Sequence, residues 1–293
     1  MTGTETRDVW AEEIVPASNR IARHIRRAPH LEMPTPALPL RCRRLVLVAE
    51  HLQYTGSHRV RAALNYLLVS RATLPQAGIV VPALPGRTSD VLAWAWAAGK
   101  AGIASAVVVS AADTMLCTAL RQYRSQVIIA PGGPDTVTEY CDDHRRRTGA
   151  QVPDYTDPLI ATGAGSLVPE LVSGIDALTT IIIPGTDPTL TAGATAAVAG
   201  HPGVRLVVAT IGGRVGDRRG PGRGWPITVD VTAGDIGTAR NLLYRRDYRV
   251  GTEGALALAA LTAVRADPAR GYTPGPHETV AVVLSKADTT TYL

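Results

Sequence analysis

Covalent and proton-transfer chemistry depends on a few side-chain types, and in this chain they are sparse. Of its 30 Lys and Arg residues only two are lysines, Lys100 and Lys286, so an amine nucleophile has two places to come from. Lys286 follows Ser285 at the end of an apolar run, where it is either a covalent amine or a solvated or salt-bridged side chain. Lys100, after Trp94 and Trp96, reads as an ordinary charge at a helix C-terminus, which the dipole favours. His58 and Arg59 stand side by side after Thr55, Gly56 and Ser57. The imidazole suits a general base, although a satisfied core histidine is the commoner outcome. The guanidinium stays protonated and cannot act as an amine, yet its fork of donors fits a carboxylate or phosphate. Arg87, between Gly86 and Thr88, supplies a second fork, and Asp187, before Pro188, is an acid, a base or a helix N-cap.

These groups need a scaffold, and the composition supplies one. With 293 residues, 45% hydrophobic and 19% charged, the chain can fill a sizeable core. No apolar run approaches the ~18 residues of a membrane span, and the acidic start MTGTETRDVWAEE does not resemble a secretory signal. Cys42, Cys117 and Cys141 are odd in number and far apart, which fits neither a disulfide framework nor a zinc site, so no metal is expected and the cytoplasm is the expected compartment. The formal charge of +5 is spread along the chain, and a nucleic-acid partner is not expected.

Short β-rich runs alternate with amphipathic stretches. Strands are expected at 44–50, 78–82, 105–110, 126–130, 179–183, 204–210 and 279–285, and helices at 18–27, 58–70, 90–99, 113–123, 135–148, 166–174, 189–199 and 254–265. That alternation predicts an α/β fold with mainly parallel sheet covered on both faces, in two stacked lobes with a ligand cleft between them. The segment 212–224, GGRVGDRRGPGRG, is too basic and too rich in glycine to pack, and reads as a surface loop or an anion-binding lid.

Three segments carry a family resemblance. Glu50, Gln53, Thr55, Gly56, Ser57, Arg61 and Ala63 fit the E-x-x-Q-x-T-G-S-F-K-x-R-G-A segment of the pyridoxal-phosphate enzymes of fold type II, the group of threonine dehydratase, serine racemase and the tryptophan synthase β-subunit. TDPLIATGAGSLVPEL at 156–171 resembles the family's D-D-P-x-x-I-A-G-Q-G-T-x-x-x-E-I, and IIIPGTDPTLTAG at 181–193 its V-V-V-P-V-G-G-G-G-L-I-A-G. In order along the chain the resemblance covers nearly all of it. It implies the tryptophan synthase β-like fold, with 1–75 and 150–293 in a large α/β lobe and 76–149 in a small one, and a homodimer.

Where this family holds its cofactor the sequence departs. The Schiff-base lysine falls on Arg59, and the four glycines of the phosphate loop read Thr186, Asp187, Pro188 and Thr189. A proline lacks an N–H, and an aspartate beside a phosphate dianion costs more than one hydrogen bond returns. The asparagine turn that meets the cofactor ring reads Gly86, Arg87, Thr88, and the serine motif reads Ser285, Lys286, Ala287, Asp288. Loss of pyridoxal phosphate follows, with no cofactor expected. Three functions are then open: a cofactor-independent lyase or isomerase, a catalytically inactive regulatory or partner subunit, and a dehydratase or ammonia-lyase whose amine has moved to Lys286. His58, Arg59, Asp187 and Lys286 are the catalytic candidates. Thr55, Gly56, Ser57, Arg87, Thr88 and Ser285 are the binding candidates for a small anionic, amino-acid-like ligand, with Arg59 and Arg87 entering the cleft unpaired. The competing expectation is that Asp187 neutralises Arg59 and leaves a structural pseudo-site.

Overall fold

Runs such as Leu45 to Val48, Ile181 to Ile183 and Val280 to Val283 are buried completely, which is why they are continuous in hydrophobicity instead of alternating. In the computed structural model, which describes residues 11–34, 40–111, 113–213 and 225–288, these runs form the centre of a six-stranded sheet. Its strands are β1 (His30–Glu32), β2 (Arg44–Val48), β6 (Leu178–Pro184), β7 (Arg205–Thr210), β8 (Ile227–Asp230) and β9 (Thr279–Val283), in the order β1-β2-β9-β6-β7-β8. Every pairing is parallel except β1 with β2. A second, three-stranded parallel sheet holds β3 (Ile79–Pro82), β4 (Ser105–Ser110) and β5 (Gln126–Ala130). The expected α/β fold with helix-covered, mainly parallel sheet is the fold observed.

One face of the large sheet is covered by α10 (Thr252–Ala266), whose residues Gly254 to Val264 are all buried, with α9 (Ala233–Tyr244) against it. On the other side α2 (Val60–Ser70), α6 (Pro158–Gly165) and α8 (Pro188–Ala199) pack side by side. Their closeness depends on glycine: a Cβ on Gly193 would lie 1.9 Å from the Ala161 carbonyl oxygen. α3 (Thr88–Ala101) bridges α2 and the small sheet, with its buried Trp94 edge-on to Tyr66 and its buried Trp96 stacked on Tyr54. The remaining helices are α1 (Ile14–Ala22), α4 (Thr114–Gln122), α5 (Pro134–Thr148) and α7 (Leu167–Gly174).

The structure adds elements that hydrophobic patterning did not predict. β1 is three residues of an antiparallel edge, too short to show a period. β8 and α9 lie where no element was expected, although Thr232 and Asp235 form a reciprocal capping box that announces α9. α6 is announced by the Asp157 cap and Pro158 in its first turn. α1 lies at 14–22 and not 18–27, because its buried stripe is Ile14, Ala17 and Ile21. Most of the basic loop, residues 214–224, lies outside the described residues.

Candidate functional site

The turn from Thr55 to Ser57 connects β2 to α2 with two successive left-handed residues, Thr55 (φ 59°) and Gly56 (φ 68°). It is stitched to the chain leaving β9. The Gly56 carbonyl accepts from Ala287 N at 2.9 Å, Ser57 pairs with Lys286 in an antiparallel bridge, and His58 N donates to the Ser285 carbonyl at 3.1 Å. Thr55, Gly56, Ser57 and Ser285 are therefore brought together, around a backbone junction. Ser57 Oγ accepts from Arg59 N at 3.3 Å, and Ser285 Oγ donates to the Glu253 carbonyl at 3.3 Å.

His58 is 1% exposed, and both of its ring nitrogens are engaged. Nδ1 lies 3.1 Å from the Ser285 carbonyl and Nε2 lies 2.9 Å from Asp187 Oδ2, so neither is directed at a ligand. Arg59, the residue before α2, reaches three carboxylates. Its Nη1 donates to Asp90 Oδ1 at 2.9 Å and lies 3.1 Å from Asp187 Oδ2, while Nη2 donates to Glu253 Oε1 at 2.8 Å. Burial disfavours the charged guanidinium, but Asp187, Asp90 and Glu253 outweigh it and raise its pKa further.

Asp187 caps α8 with its own carboxylate. Oδ1 accepts from Thr189 N at 2.9 Å, Thr189 Oγ1 at 2.7 Å and Leu190 N at 3.4 Å, and Pro188, the first helical residue, has no N–H to offer. The helix N-terminus, a natural anion site, thus holds an anion supplied by the chain. Burial pushes the Asp187 carboxyl up. Arg59, the hydrogen bond and charge of His58, and Thr189 more than reverse this and hold it well below the usual carboxylate range.

Two participants, Asp90 and Glu253, were not among the sequence candidates. Each is an acid in the first turn of its helix, α3 and α10, a position the helix dipole explains without a site. Only the fold brings them to Arg59. Burial raises the Glu253 carboxyl, and Arg59, His58 and Lys286 together bring it below its ordinary value. Lys286 Nζ lies 3.7 Å from Glu253 Oε2.

A cavity of about 420 Å³ opens beside this cluster. Arg59, Asp187, Asp90, Glu253 and Arg87 line it together with Trp94, Tyr155 and Ile160, whereas Thr55, Gly56, Ser57, Thr88, Ser285 and Lys286 are not among its lining residues. Arg87 lies with its Nε 3.3 Å from Asp90 Oδ2 and its guanidinium carbon 4.4 Å from the centre of the Tyr155 ring. The two arginines do not enter the cleft unpaired, as the anion-site expectation supposed: each has a carboxylate partner, because two helix starts deliver Asp90 and Glu253 to the same place. A second cavity, about 410 Å³, borders the turn and is lined by His51, Tyr54, Thr55 and Tyr123. Among the described residues no group of His, Cys, Asp and Glu is arranged to hold a metal ion, and no helix is long and apolar enough to cross a membrane.

Residues 21–219 match the family model of the pyridoxal-phosphate dependent enzymes. A serine racemase from Dictyostelium discoideum superposes with a TM-score of 0.79 at 18% identity, over 96% of this chain and 98% of that one. The threonine deaminase of T.th. is 24% identical and superposes with a TM-score of 0.72, over 95% of this chain and 98% of that one. An L-threonine ammonia-lyase from Geobacter sulfurreducens is 26% identical over 161 residues, which are 54% of this chain and 39% of that protein's length.

Proposed function

Because the chain belongs to the pyridoxal-phosphate dependent enzyme family, its cleft can be weighed against what that cofactor demands, and we propose that this member works without it, as a catalytically silent, ligand-binding subunit. The observation that carries this reading is the double role of Asp187, which saturates the N–H groups opening α8 and pairs with Arg59. A phosphate dianion would have to displace that carboxylate or sit against it, and a guanidinium in place of a lysine offers no amine for an imine. The residues present do not fit the cofactor.

The same contacts weigh against the two catalytic alternatives. A cofactor-independent lyase or isomerase needs an acid or base facing its substrate, yet both His58 nitrogens and both Asp187 oxygens are engaged within the protein. A dehydratase or ammonia-lyase with a relocated amine needs Lys286 in the cavity, and that amine lies beside Glu253. The reading includes a homodimer, as the resemblance implies, and a cytoplasmic setting, for which the unpaired cysteines speak.

The test is spectroscopic. Purified protein incubated with pyridoxal phosphate should stay free of imine absorbance and give no borohydride-trapped adduct, and Arg59→Lys should not bind the cofactor tightly while Asp187 and Pro188 remain. An adduct mapped to Lys286, or micromolar binding by Arg59→Lys, would overturn the reading.

A further inference from the structure

The 420 Å³ cavity has in its lining an arginine whose fork is only partly used. Arg59 has three carboxylates around it, but Arg87 commits only its Nε, to Asp90. The terminal nitrogens of Arg87 have no hydrogen-bond partner among the described residues, and its side chain is 45% exposed. The guanidinium carbon lies 4.4 Å from the centre of the Tyr155 ring, a cation–π contact that, with the Nε–Asp90 contact, restrains the fork before any ligand arrives. Burial, followed by the Asp90 charge, pushes the Tyr155 hydroxyl up to about 12, so the ring that carries Arg87 adds no negative charge.

The other walls decide the rest of the ligand. Ala62, Ala63, Ala93, Trp94 and Ile160 offer an apolar surface on which polar substituents would lose water without gaining partners. The three carboxylates leave little for an ammonium group. Asp90 accepts from Arg59 on one oxygen and from Arg87 on the other, Asp187 is taken by Arg59, His58 and α8, and Glu253 faces Arg59 and Lys286. A second negative charge on the ligand would meet these carboxylates, with no further uncommitted cation among the described residues that line the cavity.

We infer that this cavity binds a monocarboxylate with an apolar or aromatic body and no α-ammonium group, its carboxylate on the free edge of Arg87 and its body against Trp94 and Ile160. Arg59 stays within its carboxylate cluster and does not touch the ligand. This rests on the reading of the cleft as cofactor-free, and it names the ligand class that such a cleft selects.

Calorimetric titration with phenylacetate, L-phenylalanine and phenylsuccinate, on the full chain and on Arg87→Ala, tests it. Phenylacetate should bind saturably, L-phenylalanine and phenylsuccinate should bind at least tenfold more weakly, and Arg87→Ala should lose at least tenfold in phenylacetate affinity. The Arg87 side chain is 45% exposed at the edge of the cavity, so the variant should fold, and a cooperative circular dichroism melt lying well above the titration temperature confirms that the loss is one of binding. No saturable phenylacetate binding, equal binding by Arg87→Ala, or tighter binding of L-phenylalanine would each overturn the inference. Imine absorbance with pyridoxal phosphate on the same preparation would instead overturn the cofactor-free reading, whatever the carboxylates do. A colourless protein that ignores phenylacetate would overturn the ligand class alone.

Discussion

Arg59 and Arg61 lie two residues apart at the start of α2, both surrounded by carboxylates, and they belong to different parts of the molecule. Arg61 is 1% exposed and Glu50 is fully buried; Arg61 Nη2 donates to Glu50 Oε1 at 2.6 Å, and its Nη1 lies 2.9 Å from Glu170 Oε2. Glu170 also accepts from Ala28 N at 3.1 Å, so the triad ties the end of β2, α2, α7 and the segment after α1 into one junction. Arg59 instead borders a cavity, with a side chain 16% exposed. The family motif is therefore two motifs interleaved. Glu50, Gln53, Gly56 and Arg61 hold the junction together, Gln53 through its exchange of hydrogen bonds with the Arg26 backbone. Arg59 and residues 186–189 line the cavity, and the proposed loss of the cofactor concerns these positions and not the junction.

The largest expected effect tests that division directly. Arg61→Met strands the fully buried Glu50 without a cation and takes one partner from Glu170, and breaking such a buried pair costs about 3–5 kcal/mol. The matching Arg59→Met should cost roughly half as much, because Asp90 and Glu253 border the cavity, where water can reach them, and the buried Asp187 keeps His58 and the first N–H groups of α8 as partners. Urea denaturation of both variants measures the two losses. If Arg59→Met costs as much as Arg61→Met, the division into scaffold and site is wrong.

What the sequence made legible follows the same line. Buried strands and the mainly parallel character of the sheet were readable because both-face burial leaves continuous apolar runs and amphipathic helices alternate with them. Asp187 was readable as a possible cap and as a neighbour of Arg59, since the resemblance places both at the cofactor. Asp90 and Glu253 were not, because an acid in the first turn of a helix is the ordinary choice for the dipole, and nothing local separates such an acid from one that also closes a cluster across 194 residues. The edge strand β1 and the β8–α9 unit escaped for a different reason. Three or four residues are too few to set a period, and α9 buries only Ile236, Ala239 and Leu243 along its length.

The next expectation separates the acid response of the cluster from that of the second cavity. Burial pushes the His51 imidazole down to about 4 from its ordinary 6.5, opposed only in part by the Leu284 carbonyl. At pH above 6.5 the ring is neutral in the folded and unfolded states and costs nothing. Between 6.5 and 4 the unfolded chain takes up a proton that the folded chain refuses, so stability falls with pH by an amount on the order of 3 kcal/mol. His51→Gln should remove this loss, read as a smaller decline in Tm between pH 7 and pH 5 than in the parent. An unchanged decline would place the acid sensitivity elsewhere.

Asp187 acts in a lower window and through Arg59. Its folded pKa is depressed, so its contribution is complete above its unfolded value of about 3.9 and is lost as pH falls through the folded value. In Arg59→Met the largest opposing charge is gone and burial again raises the carboxyl, so protonation relieves the folded state as pH falls. The stability gap between parent and Arg59→Met should therefore narrow from pH 7 toward pH 4. A gap that widens would mean that the three carboxylates are not held by Arg59.

The smallest effect is expected at Arg87, and its smallness is what places the residue on the ligand side of the comparison. Its ion pair with Asp90 is a single 3.3 Å contact from a side chain 45% exposed, and such pairs contribute about 0–1 kcal/mol. The stacking on Tyr155 adds about 0.5–1 kcal/mol at an exposed site. Asp90 keeps Arg59 as a partner when Arg87 is removed, so no charge is stranded. Arg87→Ala should therefore lower stability by about 0.5–2 kcal/mol in urea denaturation. A loss of about 3 kcal/mol would show that Arg87 is bound into the fold as Arg61 is, and would take from the cavity its one uncommitted cation among the described residues.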